Sequence, residues 1–174
     1  MSATTPLPTK VALISTLAAT AVVLGLVVRG QRSGTLEARG LAPVLWFLTA
    51  LFALRVGGQV LVVLRRPRWL PPMQDWNLVP YPFLLPIQVV CLAVMAWIDL
   101  SFSRASGPPV QQSQTFGRFA IAFGILYAGA MVVRYGIRMW RRPGARWWGG
   151  TIPIVFHLVL ATYLYALGAF HLGR

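Results

Sequence analysis

The sequence predicts an all-α integral membrane protein, an up-and-down bundle of five transmembrane helices, and three observations carry that reading. Of 174 residues, 57% are hydrophobic and 11% charged, whereas an ordinary globular chain carries about 25% charged residues. The apolar residues fall in five long runs, each near the roughly 20 residues that cross a hydrocarbon core of about 30 Å. The cations gather at the ends of those runs, where Lys and Arg set topology and meet anionic headgroups. Five spans with short connectors use up the chain, so residues 1–174 read as one transmembrane domain and any site lies in the bundle or its loops.

The first span covers residues 11–28 behind Lys10. It is longer than a signal-peptide core and no small-x-small cleavage site follows, so it reads as a retained anchor. The second covers 42–64, carries Arg55 and Gln59, and ends at Arg65, Arg66, Pro67, Arg68 and Trp69. The third covers 83–102 with Pro86, Gln88 and Asp99; the fourth covers 119–140 with Arg134 and Arg138 and ends at Arg141, Arg142 and Pro143. The fifth covers 151–172 with Pro153, His157 and His171. Pro86 and Pro153 sit about one turn inside their spans, where a missing N–H costs little. The connector 65–82, rich in Pro, Trp and Tyr, has the composition of a headgroup zone, and 103–118 reads as a polar loop.

The second and fourth spans share punctuation. Arg55-Val56-Gly57 precedes Arg65-Arg66-Pro67 and Trp69, as Arg134-Tyr135-Gly136 precedes Arg141-Arg142-Pro143 and Trp147. The following helices open on Leu85-Pro86-Ile87 and Ile152-Pro153-Ile154. This suggests an anchor helix plus two repeated hairpins in the same orientation, related by an axis along the membrane normal.

The net charge of +13 reads as membrane topology and contact with anionic lipid, and not as nucleic-acid binding, because no basic run stands clear of a helix end. The face holding the N-terminus carries Lys10, Arg65, Arg66, Arg68, Arg138, Arg141, Arg142 and Arg146, against Arg29, Arg32, Arg39, Arg104, Arg118 and Arg174 opposite. That imbalance favours a cytoplasmic N-terminus in a bacterial inner (plasma) membrane, although the loop from Arg29 to Arg39 opposes it. Cys91 lies alone in an apolar run and reads as a small buried hydrophobe.

Buried polar groups are costly in a bilayer, so their depths point to function. Gln59, Gln88, Arg134 and His157 fall about 8 to 9 Å inside the Arg-Arg-Pro face, with Arg55 one turn deeper. One layer of polar side chains from four helices is therefore expected, either as packing contacts, with Gln59 bonding Gln88, Arg134 reaching headgroups and His157 a carbonyl, or as a pocket whose positive charge Asp99 is too distant to neutralise. Asp99 and His171 fall near one level at the other face and are expected to pair. His157 and His171, about 21 Å apart on one helix face, could ligate haem only with second ligands from Met131, Met139 or a homodimer.

No HExxH, Walker or GxSxG motif is present. The only acids, Glu37, Asp75 and Asp99, leave acid–base and Mg²⁺ chemistry short of parts. No cofactor and no metal site is expected. The expectation is a non-enzymatic membrane subunit or accessory protein whose polar layer binds an anionic lipid, a quinone or a partner helix. The alternative is a small transporter or membrane enzyme using that layer for its substrate. Small residues at Gly124, Ala128 and Gly129, and at Gly57-Gly58, are expected where helices approach closely.

Overall fold

A computed structural model describes residues 7–65, 67, 70, 81–104, 110–141 and 151–173. Among them are five helices and no strand: α1 (Leu7–Ser33), α2 (Ala38–Arg65), α3 (Tyr81–Ser103), α4 (Gln114–Arg141) and α5 (Thr151–Leu172). All five are long and apolar enough to cross a membrane, so the chain is a multi-pass helical-bundle membrane protein. Arg66, Arg68, Trp69, Asp75, Arg142, Pro143, Arg146 and Trp147 lie outside the described residues. Most of both Arg-Arg-Pro connectors goes with them.

Four of the helices start earlier than the apolar runs alone predict, at Leu7, Ala38, Tyr81 and Gln114, because a helix can extend beyond the apolar stretch into the headgroup zone, where water or side-chain caps satisfy its free first-turn N–H groups. Between α1 and α2 the chain reverses on Gly34, whose φ of 67° is left-handed and suits the residue just past a helix end. The Thr35 N–H donates to the Gly30 carbonyl at 3.0 Å, closing that end. Ser113 caps α4, its Oγ accepting from the Phe116 N–H at 3.4 Å, the usual reach of an N-cap to the third helical residue. Because α3 begins at Tyr81, Pro86 is its sixth residue and interrupts the ladder beyond the first turn. Pro153, third in α5, falls where no donor is lost.

The helices are not equivalent. α5 is the centre: it packs along α4, α2 and α1, and is buried on nearly every side from Thr151 to Phe170. Apolarity alone does not require this in a bilayer, where a helix apolar all round is also stable against lipid. α3 packs on α2, and α3 and α4 do not form a packed pair. Their outward faces expose Phe83, Ile87, Val90, Trp97, Phe119, Leu126 and Trp140, as lipid-facing surfaces do. The hairpins α2–α3 and α4–α5 are both present, yet one holds the buried centre and the other the exposed edge.

Small residues govern the tightest contact. A methyl group at Gly168 would meet Ile121 Cγ1 at 2.6 Å, and one at Gly124 would meet the Ala161 carbonyl oxygen at 3.1 Å. At Gly57 and Gly129 the same construction meets nothing within 4 Å. Close approach therefore holds for Gly124 and is corrected for Gly57 and Gly129. Cys91 is likewise exposed on α3, not buried.

Candidate functional site

The levels of the polar residues follow from contacts between helices. Trp46 Nε1 donates to Ser103 Oγ at 3.0 Å, and Thr49 lies beside the Asp99 carboxylate, which sets α2 antiparallel to α3. Ten residues on from Thr49 is Gln59 and eleven back from Asp99 is Gln88, so the two glutamines share a level. Both are deeply buried, at 0% and 3% exposure. Neither side-chain polar atom of Gln88 has a hydrogen-bond partner.

Tyr163 of α5 donates its hydroxyl to Asp99 Oδ1 at 2.8 Å. Six residues along each antiparallel helix from the Thr49–Tyr163 level come Arg55 and His157, which lie within electrostatic reach of each other. His157 is six residues inside α5, so this level is about 9 Å below the start of that helix. Arg55 is thus level with His157, and the glutamines lie one turn nearer the surface. Depths counted from each span's own end missed this because α2 extends past the start of α5.

From α4, Tyr127 and Arg134, two turns and about 10 Å apart along that helix, bracket the His157 side chain. The Tyr127 and His157 rings are 5.4 Å apart, tilted by 39°, and Arg134 acts electrostatically on both. Tyr127 ends an aromatic ladder on α4, Phe119 on Phe123 and Phe123 on Tyr127, each pair stacked at 5.9 Å. The His157 ring also engages the Pro153 carbonyl one turn earlier through Nδ1. Arg134 and His157 are half-buried, while Arg55 is 5% exposed.

Asp99 and His171 are not brought together. Asp99 is fully enclosed by Tyr163 and Thr49, whereas His171, eight residues beyond Tyr163, accepts the Ser113 N–H through Nδ1 at 3.1 Å. The offset is about 12 Å along α5. Phe116 and Phe170 pack edge-on against His171, at 4.8 and 5.3 Å, so it ties the α4 N-terminus to the end of α5. Among the described residues, no group of three or more His, Cys, Asp or Glu side chains is placed to hold a metal ion.

The Arg55 guanidinium is the chemical centre of the layer. Its Nε has no hydrogen-bond partner, and its Cζ stands 6.0 Å from the centroid of the Phe52 ring. Of the two described acids, Glu37 lies in the turn at the far end of α2 and Asp99 is engaged by Tyr163. Arg55 also borders a cavity of about 560 Å³ between α1, α2 and α5, walled by Ala12, Leu13, Thr16, Leu54, Gly57, Leu61, Ile152 and Phe156.

Comparison with family models, with curated proteins and with solved structures finds no match. The reading of function rests on the geometry.

Sequence reasoning missed Tyr127, Tyr163, Thr49 and the α1 wall of the cavity. A spacing of seven places Tyr127 on the face of Arg134, and a spacing of six separates Thr49 from Arg55 and His157 from Tyr163. Those intervals are visible in the sequence, but hydroxyl groups on apolar helices are too common to stand out.

Proposed function

We propose that this chain is a non-enzymatic integral membrane protein that binds an amphiphilic ligand, a lipid or a quinone, through Arg55 and the residues level with it. One observation supports this above the rest: a cation with 5% exposure and no carboxylate partner among the described residues borders a largely apolar cavity. Withdrawing an ion from water costs several kcal/mol even after relaxation. A bound anion or carbonyl would offset part of that cost, and an apolar tail would fill the cavity. His157 and Tyr127 lie within electrostatic reach of Arg55 behind the cavity wall, and a cavity of about 300–1,000 Å³ is the size that holds small ligands.

The test is mass spectrometry of small molecules that accompany the gently solubilised protein. A ligand near stoichiometric in wild type and depleted in Arg55→Gln supports the reading. Identical small-molecule content in both would refute it. The same proposal places the N-terminus in the cytoplasm of a bacterial cell, which N- and C-terminal reporter fusions would check.

A further inference from the structure

The cavity beside Arg55 has a chemistry narrow enough to select among amphiphiles. We infer that it binds a single-chain fatty carboxylate, with the carboxylate on the Arg55 guanidinium and the chain along the wall formed by α1, α2 and α5; this rests on the amphiphile-binding reading above.

Three observations lead there. The first concerns donors. The cavity walls are mostly helix interior, where backbone N–H groups are committed to their own helices; only Pro8 and Thr9 of α1 and Ile152 of α5 belong to first turns. The Thr16 hydroxyl is spent on the Ala12 carbonyl at 2.8 Å. Arg55 is therefore the principal donor; its unpartnered Nε is enclosed, which leaves the Nη1/Nη2 fork of the guanidinium for a ligand. A planar carboxylate matches that fork with two parallel bonds. A phosphate is better served by several donors around it, whereas this lining is mostly apolar and Arg55 is its one charged side chain.

The second concerns charge. A neutral carbonyl could accept a bond from Arg55 but would leave the buried positive charge in place. A carboxylate both bonds and neutralises it, and the two described acids of the chain are engaged or remote.

The third concerns shape. α1 leans on α5 and touches α2 only marginally, which leaves an apolar slot between α1 and α2. From Pro8 to Thr16 the α1 wall runs eight residues, about 12 Å, and the cavity of about 560 Å³ accommodates one chain rather than the paired chains and large head of a phospholipid. Gly57 borders this slot, and a side chain there would meet nothing within 4 Å. Its lack of a side chain leaves room that no helix occupies.

The test uses the full chain in detergent, stripped of lipid, with isotope-labelled oleate as probe and lysophosphatidate and phosphatidylglycerol as competitors, read by native mass spectrometry. Oleate is expected to bind wild type at one per chain and to outcompete both phosphate lipids. Arg55→Gln should weaken it at least about tenfold, the loss expected for a charge-assisted bond. Gly57→Leu keeps the guanidinium and fills the slot, so it should weaken oleate comparably while the protein stays folded. Oleate bound equally by wild type and both variants would overturn the inference. Arg55-dependent binding of a phosphate lipid or a quinone in preference to oleate would overturn it too, yet leave the broader proposal standing. If no amphiphile binds in an Arg55-dependent way, both fail.

Discussion

Replacing Gly168 with Ala should push α4 off α5. The new methyl would sit 2.6 Å from Ile121 Cγ1, 2.9 Å from the Gly117 carbonyl oxygen and 3.0 Å from the Ile121 amide nitrogen. The side-chain carbon could rotate away, but the two backbone atoms belong to the facing helix and move only with it. Overpacking of this kind costs about 1–3 kcal/mol, and rigid partners place Gly168 at the upper end. Against it stands the better helix propensity of Ala, about 0.8–1 kcal/mol. Gly129→Ala on α4 isolates that gain, because its methyl meets nothing within 4 Å. The difference between the two variants is therefore the packing cost alone, about 1–3 kcal/mol in favour of Gly129→Ala. Gly124→Ala, with its nearest contact the Ala161 carbonyl oxygen at 3.1 Å, should fall between them. Reversible unfolding in mixed micelles by SDS titration would measure the series. Equal midpoints for Gly168→Ala and Gly129→Ala would refute the account of α4–α5 packing.

Tyr163→Phe removes the donor to Asp99 Oδ1 beside an Oδ2 that already has no partner, so stability should drop by about 1–3 kcal/mol. In an Asp99→Leu background most of that loss should vanish, and an additive double mutant would show that the two do not interact. His171→Ala deletes the acceptor for the Ser113 N–H and should cost about 1 kcal/mol, with faster hydrogen exchange at Ser113 and Phe116. Unchanged exchange would mean that the loop is held by other contacts. A nitroxide attached to Cys91, exposed on α3, should respond to lipid-dissolved oxygen more than to an aqueous relaxation agent; the reverse would place that face against water.

The two levels of polar residues show how far span-by-span reasoning reaches. Gln59, Gln88, Arg134 and His157 are placed at one depth by counting inward from each span's own end. That procedure assumes that every span starts in the same plane. α2 overruns the start of α5, so Arg55 moves to the level of His157 and the glutamines move outward. Asp99 and His171 fail to pair for the same reason, because α3 is shifted along α5 until Asp99 meets Tyr163. Side-chain contacts between helices set those shifts, and no single helix encodes them.

The sequence by itself determined that this is a membrane protein of five helices, where those helices lie to within a few residues, and that its buried charged and amide side chains belong to the last four, although Thr9, Thr16 and Thr20 of α1 are buried too. Length and hydropathy suffice for that, since each span must satisfy its own backbone hydrogen bonds in lipid. Only the tertiary structure decided that α5 is the centre and that the first helix, which reads as a bare anchor, forms one wall of the cavity beside Arg55. The physical reason is that in a bilayer an apolar side chain is equally at home against lipid or against another helix. Hydrophobicity then cannot say which faces meet, and that choice falls to shape: Gly124 and Gly168 let α4 close onto α5, and Gly57 leaves a slot open.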